Sequence, residues 1–139
     1  METTPFTGFL PPTSSTTYTP NQFFDVVLRH GSRGAVRLVA YLLRKTLGWC
    51  DAEGKPQEPQ VVVSYRELEE RAGIGHSRIA EAVRECLDAR YIVQVRAGQP
   101  DRKGAAAVTA CYALRWDECE EYVTDPEHFQ GFYAGNGKL

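Results

Sequence analysis

Apolar residues recur along this chain first at helical spacing, then in alternation, and the points of change mark out its elements. Phe23, Phe24, Val27 and Leu28 repeat as one helix face would. Thr19 stands at the cap of that helix, Pro20 at its first position, and Gln22 completes a capping box. His30-Gly31-Ser32 interrupts it, and Ser32 caps a second helix. In that helix Val36, Val39, Ala40, Leu43 and Leu47 form the core stripe, with Arg33, Arg37, Arg44 and Lys45 largely off it. Residues 50–60 are polar with two prolines and read as a loop ahead of a short β-branched strand, Val61-Val62-Val63.

A tighter pattern follows. Ser64 and Glu67 make a second capping box, in which the Ser64 hydroxyl takes the Glu67 N–H and the Glu67 carboxylate returns to the Ser64 N–H. The helix runs to Ala72. Gly73 then stands where a left-handed residue must end it, since only glycine adopts that conformation without a Cβ clash. Ile74 is a lone apolar residue in the turn, expected to plug the crevice between two helices. Gly75 or Ser77 caps the next helix, which carries Ile79, Val83, Cys86 and Leu87 on the side facing Leu68 and Ala72. Its other side carries His76, Ser77, Arg78, Glu81, Arg84, Glu85 and Asp88. Residues 91–96 read as a strand, and residues 98–104 as a turn with two adjacent cations. Residues 106–115 alternate, with Val108, Ala110, Tyr112 and Leu114 on one side and Trp116 at the end.

Helix, glycine turn, helix and hairpin in that order predict a mainly α fold with a small antiparallel sheet, a winged helix-turn-helix. Its ordered body spans residues 19–116. Residues 1–18, rich in Thr, Pro and Ser, form an extended or disordered arm, and residues 117–139 an acidic helical tail.

The bulk numbers limit the partners. A chain of 139 residues is enough for one core. No apolar run spans a membrane and no signal peptide opens the chain. Cys50, Cys86, Cys111 and Cys119 lack C-x-x-C spacing, so they read as reduced thiols of a cytoplasmic protein. Zinc held by Cys119 and His128 matches no usual spacing, and no metal or cofactor is expected. Net charge is −2, but the acidity is concentrated at the end: residues 105–139 hold two Lys/Arg against six Asp/Glu, residues 60–104 eight against seven. A near-neutral helix-turn-helix binds DNA only through cations clustered in space, modestly and with salt sensitivity.

The stretch TPNQFFDVVLRHGSRGAVRLVAYLLRKTLGW, residues 19–49, is followed by a polar loop, a short strand and LEERAGIGHSRIAEAVREC. This layout resembles the N-terminal domain of lambda-type phage replication protein O, related plasmid replication initiators and the DnaD-type primosomal N-terminal domain. The resemblance covers residues 19–115. It rests on Thr19-Pro20-Asn21 before Phe23-Phe24, and on the long helix ending Arg44-Lys45-Thr46-Leu47-Gly48-Trp49. It implies a winged helix that binds origin DNA and later recruits a replicative helicase or another replisome protein. The positions matching the start of that family's recognition helix are Gly75, His76, Ser77 and Arg78, fewer cations than the family usually carries there.

From the residues themselves, Arg78 is the candidate for a base edge, and His76 and Ser77 for base or phosphate near the helix start. Arg84, Arg66, Arg96, Arg102 and Lys103 are candidates for phosphates of a double-stranded DNA partner. Each is equally the kind of residue a solvated surface carries. A winged helix used for protein contact or homodimerisation is the alternative, as is a transcriptional regulator. An enzyme is not expected: P-loop, dinucleotide glycine pattern and H-E-x-x-H are all missing, and His30, His76 and His128 are scattered.

Overall fold

The computed structural model describes residues 4–13, 15–53, 56–100 and 107–116. Helical segment α1 is a π-helical turn, Phe23–Val27, running into an α-helical turn, Leu28–His30. Helix α2 is Arg33–Thr46, strand β1 Gln60–Val62 and helix α3 Tyr65–Arg71. A 3₁₀ turn, His76–Arg78, leads into α4, Ile79–Asp88, followed by β2, Ile92–Arg96, and β3, Cys111–Leu114. The three strands form one antiparallel sheet in the order β1-β3-β2. The described residues thus form a small fold of helices and a three-stranded antiparallel sheet. None of their helices is long and apolar enough to cross a membrane. The candidate phosphate contacts Arg102 and Lys103, and residues 117–139 with Cys119 and His128, lie outside the described residues.

Helix α2 is the centre of the core. It packs against α4 on one side and against β1 and β3 on the other, with α1 beside it. Its buried arc is therefore wide: Ala35, Leu38, Val39, Leu42, Leu43 and Thr46 within the helix, and Leu47 at its cap. This arc is rotated from the expected stripe, since Val36 and Ala40 are only half-buried while Leu38 and Leu42 are sealed. A single apolar stripe suits a helix with one neighbour; α2 has neighbours on two sides, and the sequence pattern of one face locates only part of what they cover. Small residues make the approach close: a Cβ on Gly34 would lie 3.0 Å from the Ala82 Cβ on α4. Thr46 is buried without cost because its hydroxyl donates to the Leu42 carbonyl at 2.7 Å.

The expectation for α1 is corrected. Val27 is buried and Phe23 packs against the core, but Phe24 and Leu28 are exposed. Residues 23–27 wind as a π-turn, and only the Phe23–Val27 side of α1 meets the body. Nor does the first capping box form: Gln22 caps nothing with its side chain, and the Thr19 hydroxyl donates to the Thr17 carbonyl at 3.2 Å.

Ser32 caps α2 as expected, accepting from the Ala35 N–H at 3.2 Å. Ser64 caps α3, accepting from the Glu67 N–H at 3.1 Å. The Glu67 carboxylate does not complete the box; it accepts instead from the Tyr41 hydroxyl and ties α3 to α2. The hairpin strand predicted over residues 106–115 is shorter, with β3 confined to Cys111–Leu114. Ahead of it a single bridge joins Gln99 to Val108, with a register shift between Gln94 and Arg96 opposite Cys111. The bulge leaves Val95 without an opposite residue on β3 and bends the strand locally. Val61, Ile92, Tyr112 and Leu114 face the helices and close the core.

Gly73 has φ +72, and a Cβ there would meet the Arg37 guanidinium at 2.7 Å. That guanidinium donates to the Gly73 carbonyl at 2.5 Å, holding the turn from the α2 side. Gly73→Ala is therefore expected to destabilise by about 1–2 kcal/mol, the left-handed penalty on a side chain, measured by urea unfolding. An unchanged urea midpoint would show that the turn relaxes freely.

Candidate nucleic-acid interface

The leading end of α4 is built from behind. Ile79, Ala82, Val83 and Cys86 are buried against α2, and Ile74 fills the crevice ahead of them. With that side sealed, Gly75, His76, Ser77 and Arg78 are all exposed. The Gly75 carbonyl accepts from the Arg78 N–H at 2.8 Å and closes the 3₁₀ turn that starts the rod. The side chains of His76 and Arg78 are 86% and 73% exposed, so nothing among the described residues occludes this end.

His76 and Arg78 each have an acidic companion. His76 Nδ1 is 3.2 Å from Glu69 Oε2 on α3, and Arg78 Nη1 donates to Glu81 Oε2 at 3.1 Å. Arg66, on the first turn of α3, donates to Glu70 at 2.9 Å. The two Arg–carboxylate pairs are solvent-exposed, each worth about 0–1 kcal/mol, so they orient the guanidiniums without locking them.

The other candidates separate. Arg84 is exposed halfway along α4, in a shallow hollow lined by Glu81, Glu85, Asp88 and Ala89. A phosphate there would meet carboxylates on several sides. Arg96 closes the hairpin, donating to the Thr109 carbonyl at 2.8 Å across the strand, so part of its donor capacity is already used. The structure therefore brings His76, Ser77 and Arg78 to one exposed end, with Arg66 on the neighbouring helix, and leaves Arg84 and Arg96 in different surroundings.

Three positioning residues carried no local signal. Glu85, read from its spacing as part of the polar front, accepts from the Ser32 N–H at 2.9 Å and from the Ser32 hydroxyl at 2.5 Å. It is an acidic cap on α2 that fixes the angle between α2 and α4, with a negative charge at the positive end of the helix. Arg37 and Tyr41 act in the same way on the turn and on α3. Their partners are 26 to 53 residues away in sequence, beyond any motif.

Burial pushes the Cys86 thiol up to about 12, with the Glu85 charge adding to it. Its Sγ lies 3.6 Å from the Ala35 carbonyl, as a weak donor in the helix contact. Tyr41 is also pushed up to about 12, by burial first and then by its hydrogen bond to Glu67 and the charge there, with Arg71 opposing. Both groups stay protonated at neutral pH and serve as donors. Among the described residues no three His, Cys, Asp or Glu side chains gather as metal ligands would.

Compared with protein-family models, with curated proteins and with solved structures, the chain matches none.

Proposed function

We propose that this chain is a DNA-binding winged helix that reads duplex DNA through the leading end of α4. The observation that carries the reading is that end itself: His76, Ser77 and Arg78 exposed on a rod whose opposite side is fully packed. The chain order supports the winged-helix assignment. Helix α2, strand β1, helices α3 and α4 and a β2–β3 hairpin follow one another, with β1 pairing to the last strand. Arg78 is the base-reading residue, able to present two donors to guanine once it leaves Glu81. His76, Ser77 and Arg66 take phosphates beside it, and the hairpin supplies the flanking contact. The likeness of residues 19–49 and of the following helix-turn-helix to phage and plasmid replication initiators makes origin duplex the proposed target, and a replicative helicase the proposed later partner.

The paired carboxylates fix the character of the binding. Few cations are available and each must exchange a weak ion pair for a phosphate, so the salt dependence is shallow, with a log–log slope on the order of −3 to −4. Selection from a random duplex library, followed by salt titration of the winning sequence, tests this. The winner is expected to lose about 1–3 kcal/mol of discrimination on Arg78→Ala, while binding to unrelated duplex changes little. No enrichment in the selection, or equal affinity of wild type and variant for the selected site, would overturn the reading. The acidic hollow around Arg84 favours a second reading for the rear half of α4, contact with a protein. Retention of the chain on DNA at low salt separates the two.

A further inference from the structure

A carboxylate stands among the groups proposed to enter the groove. Ile79, Ala82, Val83 and Cys86 form the buried side of α4. At about 100° per residue, Glu81 lies roughly 150° around the helix from the middle of that side. It therefore faces away from the body, in the first turn of α4. Its side chain is 69% exposed, and it accepts from Arg78 Nη1 at 3.1 Å. A helix that brings Arg78 to base edges brings Glu81 with it. Over the i, i+3 spacing of these two residues a helix rises about 4.5 Å, close to the spacing of about 3.4 Å between base pairs. Two side chains that already touch thus reach adjoining base pairs.

Glu81 then needs a partner of its own. When Arg78 turns to the two acceptors of a guanine, the Glu81 carboxylate loses its donor in a contact that excludes water. An ionised carboxylate only accepts, and a desolvated one without a donor is costly. Guanine and thymine turn only acceptors towards the major groove, whereas adenine and cytosine each present an amino group. On adenine that group stands beside N7, an acceptor that repels the carboxylate. On cytosine it stands beside a C–H. We infer that Glu81 is a second base-reading residue, accepting from the N4 amino group of a cytosine in the pair next to the guanine read by Arg78. The inference rests on the reading of α4 as the element that enters the groove. It makes the ligand a duplex site with two adjoining G·C pairs, one read by a cation and one by an anion. The same negative charge repels phosphate, so duplex without that cytosine is held more weakly.

Selection from a random duplex library with wild type, Arg78→Ala, Glu81→Gln and Glu81→Ala tests it. Glu81 is exposed, so neither of its substitutions disturbs the core. The wild-type site should show a guanine whose preference vanishes with Arg78→Ala, and an adjoining cytosine favoured about tenfold over guanine or thymine. Glu81→Gln keeps the length of the side chain but pairs a donor with an acceptor, the pattern that fits adenine. The preference at that pair should therefore move from cytosine to adenine, with the guanine retained. Glu81→Ala should level the four bases there and raise affinity for unrelated duplex a few-fold, as the repulsion of phosphate is removed. A wild-type site without that cytosine, or a cytosine preference unchanged in both Glu81 variants, overturns the inference. If Arg78→Ala still erases the guanine in that case, the reading of α4 stands. A guanine preference weakened by Glu81→Gln beside an unchanged cytosine would also overturn it, since Glu81 would then only position Arg78. No enrichment by wild type overturns the inference and the reading of α4 together.

Discussion

Leu38→Ala is expected to cost about 2–5 kcal/mol, a large part of the 5–15 kcal/mol that holds a domain of this size together. Leu38 is fully buried on α2, where contacts with α4 and with the sheet leave little room for collapse around a deleted side chain. The cost has two parts, the lost transfer of the leucine carbons and the cavity they leave. In urea, with a slope of about 1–3 kcal/mol per M, the midpoint should fall by roughly 1–3 M. Val36→Ala is the control. Val36 belongs to the stripe read from sequence, but it is half-buried, and about 1 kcal/mol is expected. If Val36→Ala proved the more damaging change, α2 would present the face predicted from spacing and the described packing would be wrong.

That comparison marks how far the sequence could be read. Elements set by local chemistry were legible. Ser32 and Ser64 cap their helices, Gly73 takes the left-handed turn, Ile74 fills the crevice, and the parity of Tyr112 and Leu114 on β3 is as their alternation requires. What depended on two neighbours at once was not. The arc of α2 is set jointly by α4 and the sheet, and the body covers only the Phe23–Val27 side of α1, leaving Phe24 and Leu28 outward. The end of α4 also escaped, since the left-handed residue there is Arg90, φ 65, where glycine is usual. The exposed end carrying His76, Ser77 and Arg78 was visible in sequence because a glycine turn and an apolar stripe define it. The roles of Glu85, Arg37 and Tyr41 were not, because each joins segments that only the tertiary fold brings together. Glu85 shows the limit most plainly: its spacing assigns it to the solvent front, yet its carboxylate is held by Ser32.

Raising the pH from 8 to 11 is expected to destabilise the fold by a few kcal/mol without any change in its contacts at neutral pH. Cys86 and Tyr41 are both raised to about 12 from ordinary values of 9.0 and 10.0, and burial also raises Tyr91 and Tyr112. In each case the folded state holds the proton more tightly than the unfolded chain. The stability tied to that proton is complete below pH 9, where both states are protonated. It declines as the unfolded thiol and phenols ionise, and is lost as pH passes the folded values near 12. Cys86, fully buried, carries the larger share, on the order of a few kcal/mol at about 1.4 kcal/mol per pKa unit. The Tyr41 share is much smaller, because its hydroxyl is close to solvent and its bond to Glu67 is screened. Urea midpoints at pH 8 and pH 11 measure the total. Cys86→Ala should lower the midpoint at pH 8, through its cavity, yet narrow the gap between the two pH values. At pH 8 a disulfide reagent should label Cys86 only after unfolding, because so little thiolate is present in the fold. Equal wild-type midpoints at the two pH values, or rapid labelling of Cys86 in the folded protein, would mean that the α2–α4 contact opens to water, and that the support behind Arg78 is far looser than the packing of Ala35, Ala82 and Cys86 requires.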